Sequence, residues 1–133
     1  MASLDTNLLV RLLVADDVSQ LRRVTALIES ARRRRESLFI PITVALELEW
    51  VLRSRYDFDK GDIVEAFNAL LETREFDLQF EAALEEALHA FKDSIADFPD
   101  CLHVGLCAAA KREPLLTFDT KAARLGGARL LDA

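Results

Sequence analysis

The chain has 133 residues, of which 51% are hydrophobic and 30% charged, and its formal net charge is −6. A chain of this size usually folds as one domain, and we expect a single domain over residues 1–133. The acidic balance argues against a generic nucleic-acid binder, which is usually basic. No uncharged apolar run approaches the ~20 residues that cross a bilayer, and the first residues do not resemble a secretion signal. We therefore expect a cytoplasmic protein with no membrane partner.

The charge is unevenly distributed along the chain. Residues 57–100 contain 13 acidic and three basic side chains, a net charge of −10, so the remaining residues carry +4. The basic remainder includes four consecutive arginines at 32–35. Cations at the C-terminal end of a helix interact favourably with its dipole, so a solvated helix end explains this run at least as well as a phosphate contact.

Short β-like runs alternate with longer helical patterns. In order, the pattern predicts a strand ending near Asp5, helices at about 8–13 and 18–35, a strand at 38–40, helices at about 43–55 and 60–73, a strand at 76–78, helices at about 80–92 and 99–111, a strand at 115–117, a short helix near 120–125 and a strand at 129–131. Because helices separate the strands, we expect an α/β fold with a largely parallel sheet.

Asp5 and Asp119 each follow a predicted strand. In open parallel sheets, the loops after the carboxyl ends of the strands converge on one crevice, which could bring these two acids together. Each acid also precedes a helical pattern, and helix N-capping explains either one by itself. The residues alone leave both interpretations open.

Glu47 differs from its neighbour Glu49. The positions three and four residues from Glu47 are mostly apolar, so we expect its face of the helix to point toward the core, where a carboxylate needs a cation or hydrogen bonds. A carboxylate at the rim of that face, with its head in water, is the alternative. Glu49 has Arg53 four residues later, and an ordinary surface ion pair accounts for it.

Asp97 and Asp100 flank the start of another predicted helix. Pro99 suits the first turn, and acids there interact favourably with the helix dipole. Asp97 is readily explained as the N-cap, whereas Asp100 could lie at the floor of a crevice. His103, one turn later on a mostly apolar helix, is expected to be a core residue rather than a ligand.

The order and local contexts of these acids together carry more information than any one of them. Four segments strongly resemble PIN-domain ribonucleases, specifically the VapC-type toxins: Leu4–Asn7, Glu47–Leu52, Asp97–Leu102 and Thr117–Ala123. The resemblance spans nearly the whole chain and implies a PIN-like three-layer α/β/α domain with a mostly parallel central sheet. The main departure is the stretch after Asp100, where the family has a more uniformly small and aliphatic helix.

By this resemblance, the chain is a metal-dependent endoribonuclease whose metal-binding and catalytic acids are Asp5, Glu47, Asp100 and Asp119. Auxiliary roles fall to Asp97, Thr6, Asn7 and Thr117, the last three as hydrogen-bond partners of the acids. Clustered carboxylates raise one another's pKa, and a divalent cation relieves that penalty. An all-oxygen ligand set favours Mg²⁺, or Mn²⁺, over zinc. The expected reaction is hydrolysis of RNA by a metal-activated water, leaving 5′-phosphate and 3′-hydroxyl ends.

An acidic site repels RNA when it is empty, so nearby cations have to help hold the backbone; the candidates are Arg11, Arg53 and Arg55. The resemblance further implies an RNA substrate, a homodimer and a VapB-type antitoxin as partner.

Two other functions remain open at this stage. A phosphoryl-transfer enzyme of the haloacid-dehalogenase type would use Asp5 as nucleophile, although Asn7 replaces the second Asp expected two positions later. A catalytically silent PIN scaffold would bind RNA or protein without cutting it.

Overall fold

The computed structural model describes residues 2–131, which divide into two compact units with the boundary after Gln79. In the described part of the chain, no helix is both long enough and apolar enough to cross a membrane. Each unit contains its own parallel sheet and its own helices.

The first unit contains three short strands and four helices. They are β1 (Ala2–Ser3), α1 (Thr6–Val14), α2 (Val18–Arg34), β2 (Leu38–Ile40), α3 (Ile42–Arg55), α4 (Lys60–Leu71) and β3 (Phe76–Leu78). The strands form a parallel sheet in the order β1-β2-β3. In this register Ala2 lies opposite Leu38, and Leu38 lies opposite Phe76.

Local capping explains where these helices begin. The Asp17 carboxylate accepts a hydrogen bond of 3.0 Å from the Gln20 backbone N–H and caps α2. At α4, Asp59 and Asp62 form a capping box in which each side chain accepts a hydrogen bond from the backbone N–H of the other. Such caps satisfy N–H groups that have no partner within the helix.

The core of the first unit is built from aliphatic and aromatic side chains of both its helices and its strands. Leu9 of α1, Leu48 and Leu52 of α3 and Phe67 of α4 are completely buried. Ile40 adds an almost fully buried side chain from the central strand. Each of these helices thus buries one apolar side in the core of the first unit.

The second unit consists of α5 (Glu81–Asp93), α6 (Phe98–Ala109), β4 (Leu115–Thr117), a 3₁₀ turn (Ala122–Arg124) and β5 (Ala128–Leu130). Helices α5 and α6 pack closely. A Cβ added at Gly105 of α6 would lie 2.9 Å from the backbone oxygen of Ala83 in α5. Phe91 and Phe98 meet edge to face, with ring centroids 5.7 Å apart. Strands β4 and β5 pair in parallel, with Leu116 opposite Arg129.

These elements confirm the predicted α/β class and parallel strand pairing. The last strand begins at Ala128, one residue before the predicted position. The arginine run does end a helix: Arg32 to Arg34 occupy the last turn of α2, where Arg32 pairs with Glu29 and Glu75 at 3.0 and 3.1 Å. That one domain spans the whole chain stays a prediction.

Candidate active site

Thr6 connects the two predicted site acids of the first unit. Asp5 follows β1 at the N-cap of α1, and its carboxylate accepts a hydrogen bond of 2.7 Å from the Thr6 backbone N–H. The Thr6 hydroxyl donates to Oε1 of Glu47 on α3. Thr6 is buried, whereas Asp5 and Glu47 are exposed. Thr6 therefore bonds two exposed carboxylates, and its buried hydroxyl fixes the direction of the Glu47 carboxylate near Asp5. Asn7, the third residue of this segment, is exposed.

The expected orientation of α3 is wrong. Glu47 and Trp50 are exposed, and the buried stripe of α3 instead consists of Ala45, Leu48, Glu49 and Leu52. The structure thus fits the alternative prediction for Glu47, in which its carboxylate lies at the rim of the apolar face and is in contact with water. This stripe has the spacing of one helix face, but it is displaced from the face that was expected to be buried.

Glu49 is the charged residue of α3 that the fold buries. Its side chain is 1% exposed, and its Oε2 lies 2.8 Å from Nε of Arg53. The ion pair forms as predicted, but its interpretation as a surface pair is wrong. Arg53 supplies the cation that a buried carboxylate needs.

In the second unit, Asp100 lies in an acidic environment. It is half-buried in the first turn of α6. Burial raises the pKa of the Asp100 carboxyl, and the negative charges of Asp119 and Asp97 raise it further, while His103 acts in the opposite direction. The carboxylates of Asp97 and Asp119 are therefore close enough for their charges to act on Asp100.

Asp97 and His103 both differ from expectation. Asp97 occupies the N-cap position of α6, but its side chain makes no capping hydrogen bond, so its interpretation as an ordinary cap is wrong. His103 is exposed rather than in the core, because the buried positions of α6 are Phe98, Cys101, Leu102 and Gly105.

Asp119 is held by hydrogen bonds to residues on both sides of it. Its own N–H donates a hydrogen bond of 3.0 Å to the Thr117 hydroxyl. Its Oδ1 accepts bonds of 2.8 and 3.1 Å from the N–H groups of Lys121 and Ala122. The N-cap position of the 3₁₀ turn is Lys121, two residues later than predicted, so the Asp119 carboxylate instead closes the turn before it, and these bonds fix the direction of that carboxylate.

The three arginines expected to contact RNA all have partners within the chain. Arg11 pairs with Asp16 at 2.9 Å, and a hydrogen bond with Tyr56, followed by the charge of Asp16, raises its pKa. Arg53 pairs with Glu49, and the Arg55 guanidinium lies 5.9 Å from the ring centroid of Trp50. Arg11 also lines a cleft of about 250 Å³ together with Asn7 and Arg23. Their contact with RNA stays a prediction.

The donor set fits a hard divalent cation chemically. All four predicted ligands offer carboxylate oxygens, the ligand type that Mg²⁺ and Mn²⁺ prefer. Burial raises the pKa of the Asp100 carboxyl first, and a cation would relieve the further increase that the negative charges of Asp119 and Asp97 cause. Over residues 2–131, no group of three or more His, Cys, Asp or Glu side chains is arranged to hold a metal ion. Convergence of the four acids on one ion therefore stays a prediction.

Comparison with known proteins places this arrangement in a family. Residues 2–128 match the PIN domain. The chain belongs to the PIN-domain family. A protein named VapC ribonuclease, from Aquifex aeolicus strain VF5, is 26% identical to this PIN domain over 102 residues, which cover 77% of the chain and 75% of that protein. The resemblance found in the sequence and the fold class that it implied are thereby confirmed.

Proposed function

We propose that this PIN domain is a divalent-metal-dependent endoribonuclease that acts as the toxin of a VapBC-type pair. The observation that carries the proposal is the negative environment of Asp100, whose carboxyl pKa is raised by burial and by Asp119 and Asp97. A fold gains no stability from assembling like charges, and perturbed carboxylates of this kind concentrate at functional sites. Membership of the PIN family and the relative named VapC ribonuclease support a nuclease function for this protein.

In this proposal, Asp5, Glu47, Asp100 and Asp119 hold Mg²⁺, or Mn²⁺ in its place, with Asp97 as an auxiliary acid. The bound cation would lower the pKa of the attacking water and offset charge on the phosphodiester oxygens.

The protein's own contribution is to hold its carboxylates in place before the substrate arrives. Thr6 donates one hydrogen bond from its backbone to Asp5 and one from its hydroxyl to Glu47. Two backbone N–H groups do the same for Asp119, and Thr117 anchors the preceding turn. Preorganised groups of this kind require little rearrangement during the reaction. Asn7 is proposed to support the acids from the start of α1.

In the proposed reaction, a water oxygen attacks phosphorus and the bond from phosphorus to the 3′ oxygen breaks. The 3′ oxygen takes up a proton, so the products carry 5′-phosphate and 3′-hydroxyl ends. No side chain forms a covalent bond to phosphorus, which separates this reaction from a phosphoryl-transfer enzyme using Asp5 as nucleophile.

We infer the partners from the proposed function as the ribonuclease toxin of a VapBC-type pair. RNA is the substrate, with Arg11, Arg53 and Arg55 contacting its backbone, and Arg11 already borders a cleft beside Asn7. A VapB-type antitoxin would neutralise the enzyme, which would act as a homodimer in the cytoplasm.

The test is cleavage of end-labelled RNA with Mg²⁺, with Mn²⁺ and with EDTA. Asp5→Asn and Asp119→Asn are expected to lose most of the activity, because each removes a carboxylate while keeping the side chain's shape. Asp93→Asn, an exposed acid at the end of α5, is the matched control and is expected to cleave normally. Cleavage that survives EDTA, or full activity in both site variants, would contradict the proposal; RNA binding without cleavage would indicate a silent scaffold.

A further inference from the structure

Phe118 is an exposed aromatic side chain beside a proposed catalytic acid. It lies between Thr117 and Asp119 and is 80% exposed, the largest value among the bulky apolar side chains that the structure describes. Keeping a phenyl ring in water forgoes the stabilisation that its burial would provide. Sequence reasoning assigned this residue no role.

The backbone on both sides of Phe118 is held by hydrogen bonds. The Thr117 hydroxyl accepts from the N–H of Asp119, and the Thr117 carbonyl accepts from the N–H of Leu131 at 2.9 Å. After Phe118, the Asp119 carboxylate caps the next turn through Lys121. The ring therefore projects from an anchored turn.

An aliphatic side chain and a cation are exposed on the strands next to this ring. Leu116 lies opposite Arg129 of β5, and both are exposed. Phe118 directly follows β4, two residues after Leu116. These three exposed residues, Leu116, Phe118 and Arg129, are called the β4–β5 face below, and they combine apolar surface with a guanidinium.

The stretch of sequence that carries this face is basic, although the chain is acidic. Residues 111–131 contain five Lys or Arg against Glu113 and Asp119, a net charge of +3, whereas the whole chain carries −6. An exposed aromatic ring with a cation nearby is a combination by which proteins bind single-stranded nucleic acid: the cation contacts phosphate and the ring stacks on a base.

We propose that the β4–β5 face is a nucleotide platform, on which Phe118 stacks against an unpaired base next to the scissile phosphate and Arg129 contacts the RNA backbone. The inference rests on the proposed ribonuclease function and adds to it a residue that positions the substrate. Bases in an RNA duplex do not offer their faces to a side chain, whereas loops and single strands do, so Phe118 can stack only on an unpaired base.

The experiment measures binding of a fluorescein-labelled single-stranded oligoribonucleotide by anisotropy in EDTA, so that no cleavage occurs. Every variant is compared with the wild type in this metal-free state, so the repulsion between RNA and the empty acidic site is the same in each comparison. Phe118→Ala is expected to weaken binding roughly tenfold, the usual effect of losing one stacked base, and Phe118→Trp to retain it. Arg129→Gln should reduce the slope of log affinity against log salt by about 0.7, the value for one phosphate contact on a single strand.

Phe80→Ala is the matched control, because it removes a phenylalanine that is 53% exposed at the start of the acidic helix α5. Its affinity for the oligoribonucleotide is expected to equal that of the wild type. A duplex of the same sequence should bind Phe118→Ala and the wild type equally. Unchanged unfolding of Phe118→Ala in urea is expected, because the ring is mostly in water.

Equal affinity of Phe118→Ala and the wild type for the single strand would overturn the platform while leaving the ribonuclease proposal intact. Loss of self-association in Phe118→Ala, with RNA affinity unchanged, would also overturn it and would indicate a protein-binding face. Stacking-dependent binding by a wild type that cleaves no RNA would support the platform and refute the enzyme. Neither binding nor cleavage of any RNA by the wild type would overturn both.

Discussion

Gly105 makes possible the close packing of α5 and α6, and Gly105→Ala tests that packing. An added Cβ would lie 2.9 Å from the carbonyl oxygen of Ala83, closer than real Cβ atoms are found. The obstacle is helix backbone, which cannot rotate aside as a flexible side chain does. The two helices would have to separate by several tenths of an ångström at this point.

The expected cost follows from two opposing effects. Overpacking a well-packed interface typically costs about 1–3 kcal/mol. Alanine is favoured over glycine in a helix by about 1 kcal/mol, which offsets part of that cost. Together the two effects leave a net loss of about 0–2 kcal/mol in the free energy of unfolding. Because the clash is with backbone, we expect a value in the upper half of that range, about 1–2 kcal/mol. Helix α6 also carries Asp100, so RNA cleavage should fall as well.

The assay is urea unfolding followed by circular dichroism at equilibrium. Gly126→Ala is the matched control, because a Cβ at that position meets no atom within 4 Å. It is expected to leave stability unchanged or to raise it slightly by restricting the unfolded chain. If Gly105→Ala were as stable as the wild type, or more stable, the close approach deduced for these helices would be wrong.

Three further predictions concern charged residues. Arg53→Gln leaves Glu49 buried without its cation and should lower the free energy of unfolding by about 1–3 kcal/mol. The loss should be smaller than for a fully buried ion pair, because Arg53 is half exposed. The double variant Glu49→Leu/Arg53→Met should recover stability in urea unfolding, and no recovery would argue against a charge effect. The raised pKa of Asp100 means that the folded state favours its protonated form. Its contribution to stability is therefore largest at acid pH and is lost as pH rises from the ordinary pKa of an Asp carboxyl, 3.8, through the raised pKa. Asp100→Asn should therefore match the wild type at the acid end of a series of urea unfolding measurements and exceed it increasingly toward neutral pH; a constant or reversed difference would contradict the cause assigned to this shift. Asp59→Ala removes the capping box of α4 and should lower the free energy of unfolding by about 1 kcal/mol in the same assay. Glu65→Ala, on the exposed side of α4, is the control and should lower it less. Equal losses in the two variants would show that the cap contributes nothing of its own.

The order of strands and helices could be predicted from the sequence because the signals are local. Apolar periodicity and capping residues act within a few positions of the chain, and they placed most elements close to where the structure has them. The hydrogen bonds that Asp119 accepts from Lys121 and Ala122 are local in the same way. The four segments that resemble PIN-domain ribonucleases carried the family assignment.

Which side of an element is buried was decided by tertiary structure. On α3, Glu47 was expected on the core-facing side, with a carboxylate head in water as the alternative, and the structure has it exposed; Glu49 was expected on the surface and is buried. The positions of apolar residues along a helix limit its buried face only to within one or two residues, and the packing partners choose among those rotations. His103 is exposed on α6 for the same reason.

The chain's acids, their order and their local caps are therefore properties of the sequence itself. The neighbours of those acids are properties of the fold: the Thr6 hydroxyl reaches Glu47 across 41 positions, and Asp119 acts on Asp100 from another element. Such contacts depend on how separate elements pack, which no local pattern encodes. The exposure of Phe118 belongs to the same class, because a ring beside a strand is buried or exposed according to what covers that strand.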